Sequence, residues 1–493
     1  MKSKIIFILL IIILLISYCN NYLVFPFKIK KPTIEQTNKL ITADEYIKYD
    51  QNNQISINIY MGTPLKEIEI YLTMEQYEFF LGNGFCLSNP NSKYNPSTST
   101  SYRKTGLTIF SSLYTNGSLS IENFKFYNEL DLSKNLTVNN VDFIYASASP
   151  EYYDLVEPDF NCGYLGLQFN STSIYFEWYS LIFQLKSLKA INSKKWSLIF
   201  YENNKKINNY DGVFVLGIKE DDFQNIFNTT NNTYNYASTY SSPYGYKTLN
   251  WEIKFDEIYF NKNNQNISFF DNIQGQIAID YNYIISNKDY FNNIKTYFFD
   301  KYINEDICYI DKNETLKRIS KKVISLLNII ICDKNKFKDI QKFPSLYFKN
   351  RDLNKIFEFN YKDLFQEIGN SLVFSIVMDE EAKSHWVFGR IFFQKYKFIF
   401  DGDQKTISYI EKNNTDLDES DNNKGSGIGD NTTSTIILVL KILLIVFLLL
   451  GIGIGLLFGK KIWDNKRKKK ANELDDDYDY DEYKEKKENP EIN

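Results

Sequence analysis

The chain has 493 residues, a formal net charge of −4, five cysteines and one histidine. A single histidine leaves little for metal ligation or for a Ser–His or Cys–His mechanism, and the cysteine spacing fits no zinc site. Composition therefore excludes several enzyme classes, and we expect no metal and no cofactor.

The N-terminal residues 1–20 have the pattern of a secretory signal peptide. Lys2 and Lys4 form a positive start, Ile5–Ile16 form an apolar run, and small or polar residues follow. The run is short for a membrane span, so we expect cleavage, with an uncleaved anchor as the alternative.

A second apolar segment, residues 435–459, is long enough to cross a hydrocarbon core of about 30 Å as a helix. The basic residues that follow it are Lys460, Lys461, Lys466, Arg467, Lys468, Lys469 and Lys470. A basic cluster directly after a span stays cytoplasmic, which explains it without a nucleic-acid partner. We predict a single-pass type I membrane protein of the secretory pathway or cell surface, with a cytoplasmic tail at 460–493.

The part between the two apolar segments is predicted to be lumenal or extracellular. Its length, about 410 residues, is enough for two lobes, and the polar residues 412–434 are predicted to form a stalk. Nine glycosylation sequons all lie in this part. They are Asn116, Asn135, Asn170, Asn228, Asn231, Asn266, Asn313, Asn413 and Asn431.

Four cysteines remain if Cys19 leaves with the signal peptide. These are Cys86, Cys162, Cys308 and Cys332. An even number in an oxidising compartment favours two disulfides.

Short alternating apolar stretches separated by Asn, Gly, Ser and Pro predict a mainly β protein. Ile55–Ile59, Ile68–Leu72 and Lys397–Phe400 are examples, and the best helix candidates are 177–190 and 287–301.

A long internal repeat is also visible. A strand ending at Thr73 is followed later by Tyr164–Gly166, and a strand ending at Asp280 is followed by Val387–Gly389. Two lobes of one plan facing each other across a cleft would produce this pattern.

Five segments, in order, resemble motifs of the pepsin-like aspartic proteases across about residues 47–411. The family patterns are I-x-I-G-T-P, F-x-P-x-x-S-S-T-Y, D-G-I-L-G-L, W-x-I-x-x-x-x-I and W-I-L-G-D-x-F-x-R-x-Y-x-x-x-F-D. The matching segments are Asn58–Pro64, Tyr94–Tyr102, Cys162–Leu167, Trp251–Ile258 and Trp386–Asp401.

The resemblance implies a bilobed pepsin-like fold, with two β-barrel-like lobes around a cleft, plus one C-terminal transmembrane helix. It implies a propeptide-like segment at 21–46, an N-terminal lobe at 47–204 and a C-terminal lobe at 205–411. It also implies a Cys308–Cys332 disulfide. Cys86 lies where family cysteines often occur and Cys162 does not, so Cys86–Cys162 is the weaker expectation.

The family's chemistry requires two aspartates that share one proton, and each begins an Asp-Thr/Ser-Gly turn. Here the first position is Thr73, followed by Met74 and Glu75, while the second is Asp280, followed by Tyr281 and Asn282. A threonine hydroxyl cannot act as a carboxylate, so only the second position keeps its acid.

Three further residues are candidates for the cleft. Phe110 stands where the family's substrate-covering flap has a tyrosine, and the cleft-facing side chains of Phe110 and Tyr281 could grip a peptide. Glu75 could supply a replacement acid, but we expect that its longer side chain and the altered turn do not restore the geometry.

We therefore expect a pseudoprotease that binds a peptide or protein in its cleft. The alternatives are a divergent active aspartic endopeptidase using Asp280, and a surface structural or adhesion glycoprotein whose groove is filled by side chains.

Overall fold

The computed structural model describes part of the chain, and the predicted signal peptide, stalk, span and tail lie outside that part. The described residues are 22–30, 39–51, 53–74, 77–82, 94–110, 116–127, 135–146, 163–170, 179–201, 209–218, 236–238, 248–249, 251–262, 265–312, 318–319, 322–323, 326–380 and 386–410. Among these residues, no helix is both long enough and apolar enough to span a membrane.

The protein is mainly β, as predicted. The strands of its first half are β1 (Leu23–Ile29), β2 (Ile55–Met61), β3 (Lys66–Thr73), β4 (Phe79–Leu81), β5 (Arg103–Phe110), β6 (Asn116–Phe126), β7 (Leu136–Ala146), β8 (Gly163–Gly166), β9 (Phe169–Asn170), β10 (Lys195–Phe200), β11 (Gly212–Leu216), β12 (Tyr236–Ser238) and β13 (Thr248–Leu249).

The second half of the described chain also consists mainly of strands. They are β14 (Glu252–Lys262), β15 (Gln265–Ile277), β16 (Ile284–Ser286), β17 (Cys308–Lys312), β18 (Arg318–Ile319), β19 (Lys322–Val323), β20 (Leu327–Asp333), β21 (Leu346–Asn350), β22 (Lys355–Phe359), β23 (Phe365–Ile368), β24 (Ser371–Phe374), β25 (Ile376–Asp379), β26 (Trp386–Phe388), β27 (Lys397–Asp401) and β28 (Thr406–Ile410).

The described helices are short. They are α1 (Ala43–Gln51), α2 (Leu181–Ser187), α3 (Lys288–Ile294), α4 (Asp300–Asn304), α5 (Tyr361–Leu364) and α6 (Arg390–Lys395), with a π turn at Lys295–Phe299 and 3₁₀ turns at Pro96–Thr98 and Ile340–Lys342. The predicted helix at 287–301 is confirmed, and the Asn287 side chain caps it by accepting from the Tyr290 N–H. The helix predicted at 177–190 is present but shorter.

Two large sheets organise these strands. The first has the order β12-β28-β27-β10-β11-β1-β2-β3-β8-β4-β7-β6-β5, and the second contains β22-β21-β14-β15-β26-β16-β25-β20-β24-β23, with β17 paired to β20. Strands β27 and β28 come from the end of the described chain but belong to the first sheet. The strands of the second sheet therefore lie, in sequence, between two groups of strands that belong to the first sheet.

The predicted internal repeat appears in the strand pairing. In the first sheet β3 pairs in parallel with β8, β8 antiparallel with β4, and β4 in parallel with β7. In the second sheet β15 pairs in parallel with β26, β26 antiparallel with β16, and β16 in parallel with β25. The strands that lead to Thr73 and to Asp280 thus occupy equivalent places in the two sheets.

One continuous apolar core joins the two sheets. Trp196 on β10 stacks on Phe400 of β27 at 4.1 Å between ring centroids, and Trp251, just before β14, meets both rings edge-on. The Trp251 indole N–H also donates to the Leu167 carbonyl at 2.9 Å, so this buried indole has its polar group satisfied.

Strand β1 lies in the middle of the first sheet, between β11 and β2. Phe25 and Phe27 are almost fully buried. A Cβ on Gly212 of the neighbouring strand would lie 2.4 Å from the Phe27 ring, which shows how closely β11 approaches β1. The segment predicted to be propeptide-like therefore supplies a central strand.

Four of the sequon asparagines lie within the described residues. Asn116 begins β6, Asn135 is exposed just before β7, Asn170 ends β9, and Asn266 lies in β15. The remaining sequons lie outside the described residues: Asn228, Asn231, Asn313, Asn413 and Asn431.

The expected Cys308–Cys332 disulfide is present and joins directly opposed residues of β17 and β20. Cys86 and Cys162 lie outside the described residues, so their pairing stays a prediction.

Replacing Cys308 and Cys332 together by serine should lower the free energy of unfolding by about 2–4 kcal/mol, because the unfolded chain gains the freedom of the opened loop. Urea titration of wild type and variant measures this. Coincident titration curves would contradict the expectation.

Candidate functional site

The two sequence positions predicted to face each other do meet. Thr73 ends β3, and the backbone N–H of the next residue, Met74, donates to Oδ2 of Asp280 at 3.0 Å. This hydrogen bond links the first sheet to the turn that follows β15. The ends of the two equivalent strands therefore lie in contact.

Thr73 is held firmly within the first sheet. It pairs with Gly166 of β8, its carbonyl accepts from the Leu167 N–H at 2.8 Å, and only 5% of the residue is exposed. The parallel pairing runs through Thr73 itself. At the equivalent place in the second sheet, pairing with β26 ends at Ile277, and Asp280 stands in a turn.

The turn that carries Asp280 packs tightly on the end of β26. The Tyr281 carbonyl accepts from the Arg390 N–H at 2.6 Å. A Cβ on Gly389 would lie 2.1 Å from the carbonyl oxygen of Tyr283, so only glycine permits this approach.

Arg390 places a positive charge beneath this turn. The residue is 1% exposed, and its Nη2 lies 3.6 Å from Oδ1 of Asp50. Its Nε, Nη1 and Nη2 have no hydrogen-bond partner among the described residues. Burial lowers the pKa of Arg390, while the negative charges of Asp50 and Asp280 act in the opposite direction.

Asp50 reaches the same place from α1. Its Oδ1 accepts from the Asn282 backbone N–H at 3.0 Å, and the carboxylate is almost fully buried. Burial raises the pKa of Asp50 to about 6, although Arg390 and the Asn282 N–H both favour the ionised form. Burial thus raises the pKa of Asp50 by more than these two neighbours lower it.

Gln366 completes the connection between α1 and the turn. Its Nε2 donates to the Tyr46 hydroxyl at 2.8 Å and to the Asn282 carbonyl, and its Oε1 accepts from Asn282 Nδ2 at 3.0 Å. The ring of Tyr46 packs near that of Tyr283, with centroids 5.9 Å apart. The turn after Asp280 is therefore held by side chains from α1 and β23 and by the Arg390 backbone N–H.

The other predicted site residues are only partly described. Tyr281 is half-buried with its ring 5.5 Å from that of Tyr283, so much of it packs inward. Phe110 ends the edge strand β5 and pairs through its backbone with Asn116. Glu75 and the segment 111–115 lie outside the described residues.

Sequence reasoning missed Asp50 and Arg390. A signal for Arg390 was present, because it stands where the family pattern W-I-L-G-D has an aspartate. A charge at a position that the motif places in the core requires a nearby opposite charge. The chain near α1 contains several acids, however, and nothing local distinguishes Asp50 from Asp44 or Glu45.

The arrangement gives Asp280 one hydrogen bond from the first sheet and places the buried charge of Arg390 nearby. A shared proton instead requires a second carboxylate, and the Thr73 side chain has none. Across the part of the chain that the structure describes, no group of three or more His, Cys, Asp or Glu side chains is placed to hold a metal ion.

Comparison with known proteins gives no relative: no family model matches the chain, and no curated protein matches it.

The raised pKa of Asp50 predicts a pH dependence of stability. The folded protein binds this proton more tightly than the unfolded chain, so the contribution is complete below the ordinary pKa of 3.8 and is lost as the pH rises through 6. Relative to Asp50→Asn, the unfolding free energy of the wild type should fall by up to about 1.4 kcal/mol per pH unit in this window.

Urea titrations of both proteins between pH 3.5 and about 7.5 measure this difference. Parallel pH profiles for wild type and Asp50→Asn would show that Asp50 does not titrate in this range.

Proposed function

We propose that this protein is a membrane-anchored pepsin-family homologue that has lost peptidase activity and binds a peptide or protein in the cleft between its lobes. The observation that carries the proposal is the hydrogen bond from the Met74 N–H to Asp280, at the point where the two equivalent strands meet. It supports a two-lobed plan in which a backbone donor faces the surviving acid.

The strand arrangement supports the family assignment. The same four-strand pattern occurs twice, as β3-β8-β4-β7 and β15-β26-β16-β25, with Thr73 as the last residue of β3 and Asp280 in the turn that follows β15. The five ordered motifs supply independent support, because they place Thr73 and Asp280 at the family's aspartate positions.

The loss of activity follows from charge. In the family, one carboxylate activates water while the other, protonated, donates to the substrate carbonyl. Thr73 cannot perform either role, and the Asp280 carboxylate already accepts a hydrogen bond from the Met74 N–H. A general acid or base contributes roughly 10²–10⁴-fold, so losing the pair removes useful catalysis.

The proposed location rests on the sequence. The signal peptide at 1–20 and the span at 435–459 would place residues up to 434 in the lumen or outside the cell. The Cys308–Cys332 disulfide supports this, because disulfides persist in oxidising compartments.

A structural or adhesion role is the second candidate, and one observation favours it. Tyr281 packs inward, and α1 lies against the turn that carries Asp280, so side chains of the protein itself occupy part of this region. The binding test below separates this role from peptide capture.

The first experiment measures peptidase activity. Purified chain incubated with denatured casein between pH 3 and 6 should produce no new fragments beyond an enzyme-free control, while an active pepsin-type protease should cleave the casein completely. Cleavage that a statine-type peptide inhibitor blocks and that disappears in Asp280→Asn would establish the active-peptidase alternative.

The second experiment measures binding. Fluorescein-labelled denatured casein peptides should increase in anisotropy with the wild type, and Tyr281→Ala should weaken binding by about tenfold, or about 1.4 kcal/mol, through the loss of an aromatic contact at the cleft. Tyr297→Ala, which removes an exposed tyrosine from the π turn, is the matched control.

Equal binding by Tyr281→Ala and wild type would argue against use of the cleft. An absence of binding by the wild type would favour the structural role.

A further inference from the structure

Helix α1 is seated on the second sheet, although the chain continues from it directly into β2 of the first sheet. At its N-terminal side, the Ile41 N–H donates to Ser371 Oγ at 2.9 Å, and the Ala43 N–H donates to Asp311 Oδ2 at 2.7 Å. The Tyr309 hydroxyl donates to the Ile41 carbonyl at 2.9 Å. Strands β17 and β24 therefore both contribute to this seat.

The inward face of α1 is part of a separate apolar cluster. Its buried members are Ile41, Ala43, Tyr46, Ile47, Tyr283, Leu327, Ile329, Ile331, Ile368, Val373 and Val377. Four members come from the N-terminal segment and the remainder from the second sheet and the turn after Asp280. The helix thus closes a core that would otherwise be open.

The C-terminal end of α1 is held by charge. Asp50 lies 3.6 Å from the buried Arg390 guanidinium and accepts from the Asn282 N–H. Removing one partner of a buried ion pair is strongly destabilising, because the other charge is left uncompensated. A chain without α1 would expose the apolar cluster and leave Arg390 with one carboxylate fewer.

We propose that residues 22–51 are retained in the mature protein as a permanent part of the fold. In the functional protein, α1 stays seated beside the Asp280 turn. The propeptide-like segment expected at 21–46 is then not removed. Strand β1, which lies in the first sheet, supports the same conclusion. Its loss would separate β11 from β2 and expose Phe27.

Acid does not release the helix in this scheme. The charged and titratable groups that face Asp50 are Arg390, Tyr46 and Tyr49, and the turn adds the Asn282 N–H. Because burial raises the pKa of Asp50, protonation favours the folded, seated state. The segment should therefore remain in place at pH 4 as well as at pH 7.

The first test is the mass of the mature protein. The full chain, expressed with its own leader and captured through a C-terminal tag, is washed at pH 4 or pH 7 and mapped by mass spectrometry. Peptides from 22–29 and 39–51 should be present after both washes. A mature chain that begins after Gln51, or loss of these peptides at pH 4, would overturn the proposal.

The second test uses trypsin and Lys48, which is exposed on the outer face of α1. Cleavage after Lys48 should be slow in the wild type and at least roughly tenfold faster in Asp50→Ala, because the Asn282 N–H loses its acceptor and Arg390 loses its polar neighbour. Asp44→Ala removes an acid from the same helix and should leave the rate within about twofold.

A double variant, Asp50→Ala with Arg390→Met, guards against simple unfolding. It also removes the buried guanidinium, so it should keep the emission of the buried tryptophans and be cleaved more slowly than Asp50→Ala. Equal rates for Asp50→Ala and Asp44→Ala, or a double variant no better than the single one, would overturn the proposal. These readouts do not depend on ligand capture, so they are separate from the peptide-binding proposal.

Discussion

A guanidinium that is almost wholly removed from water requires negative charge close to it, and Arg390 meets this requirement with side chains from distant parts of the chain. Asp50 approaches from the N-terminal helix, and Asp280 contributes from the turn after β15. Arg390 thus contacts α1 through Asp50, and its backbone N–H bonds to the turn after Asp280. Because the pair is buried, neither partner can be lost without a large cost.

The same charge also governs the chemistry available at the site. In a catalytic dyad, two acids repel and therefore share a proton, which makes one of them a donor. Here Asp280 faces a backbone N–H from the first sheet and has a cation nearby. Its hydrogen bond joins the two sheets, so the carboxylate serves as a structural contact.

The two copies of the strand pattern differ where they reach Thr73 and Asp280. The first has parallel pairing up to Thr73, whereas the second ends its pairing at Ile277, and Asp280 lies in a turn. Tyr281 and Asn282 follow Asp280, and each is accommodated by contacts with the surrounding core or with Gln366. The bulk at this turn is thus packed into the second sheet.

Local sequence determined much of the fold. Alternating apolar residues specified strands such as β2 and β3, because every second side chain of a strand faces the same side. The order of the five motifs predicted that Thr73 and Asp280 lie close together, and the same resemblance predicted the Cys308–Cys332 disulfide.

Only the tertiary structure decided the docking of α1 and the choice of Asp50 as the partner of Arg390. Thr42 and Glu45 form a capping pair at the start of this helix. Capping fixes where a helix begins, but it does not determine which surface the helix covers. Tyr46 meets Gln366, a residue 320 positions away. Contacts over such separations arise from the packing of whole sheets, so no local pattern could have specified them.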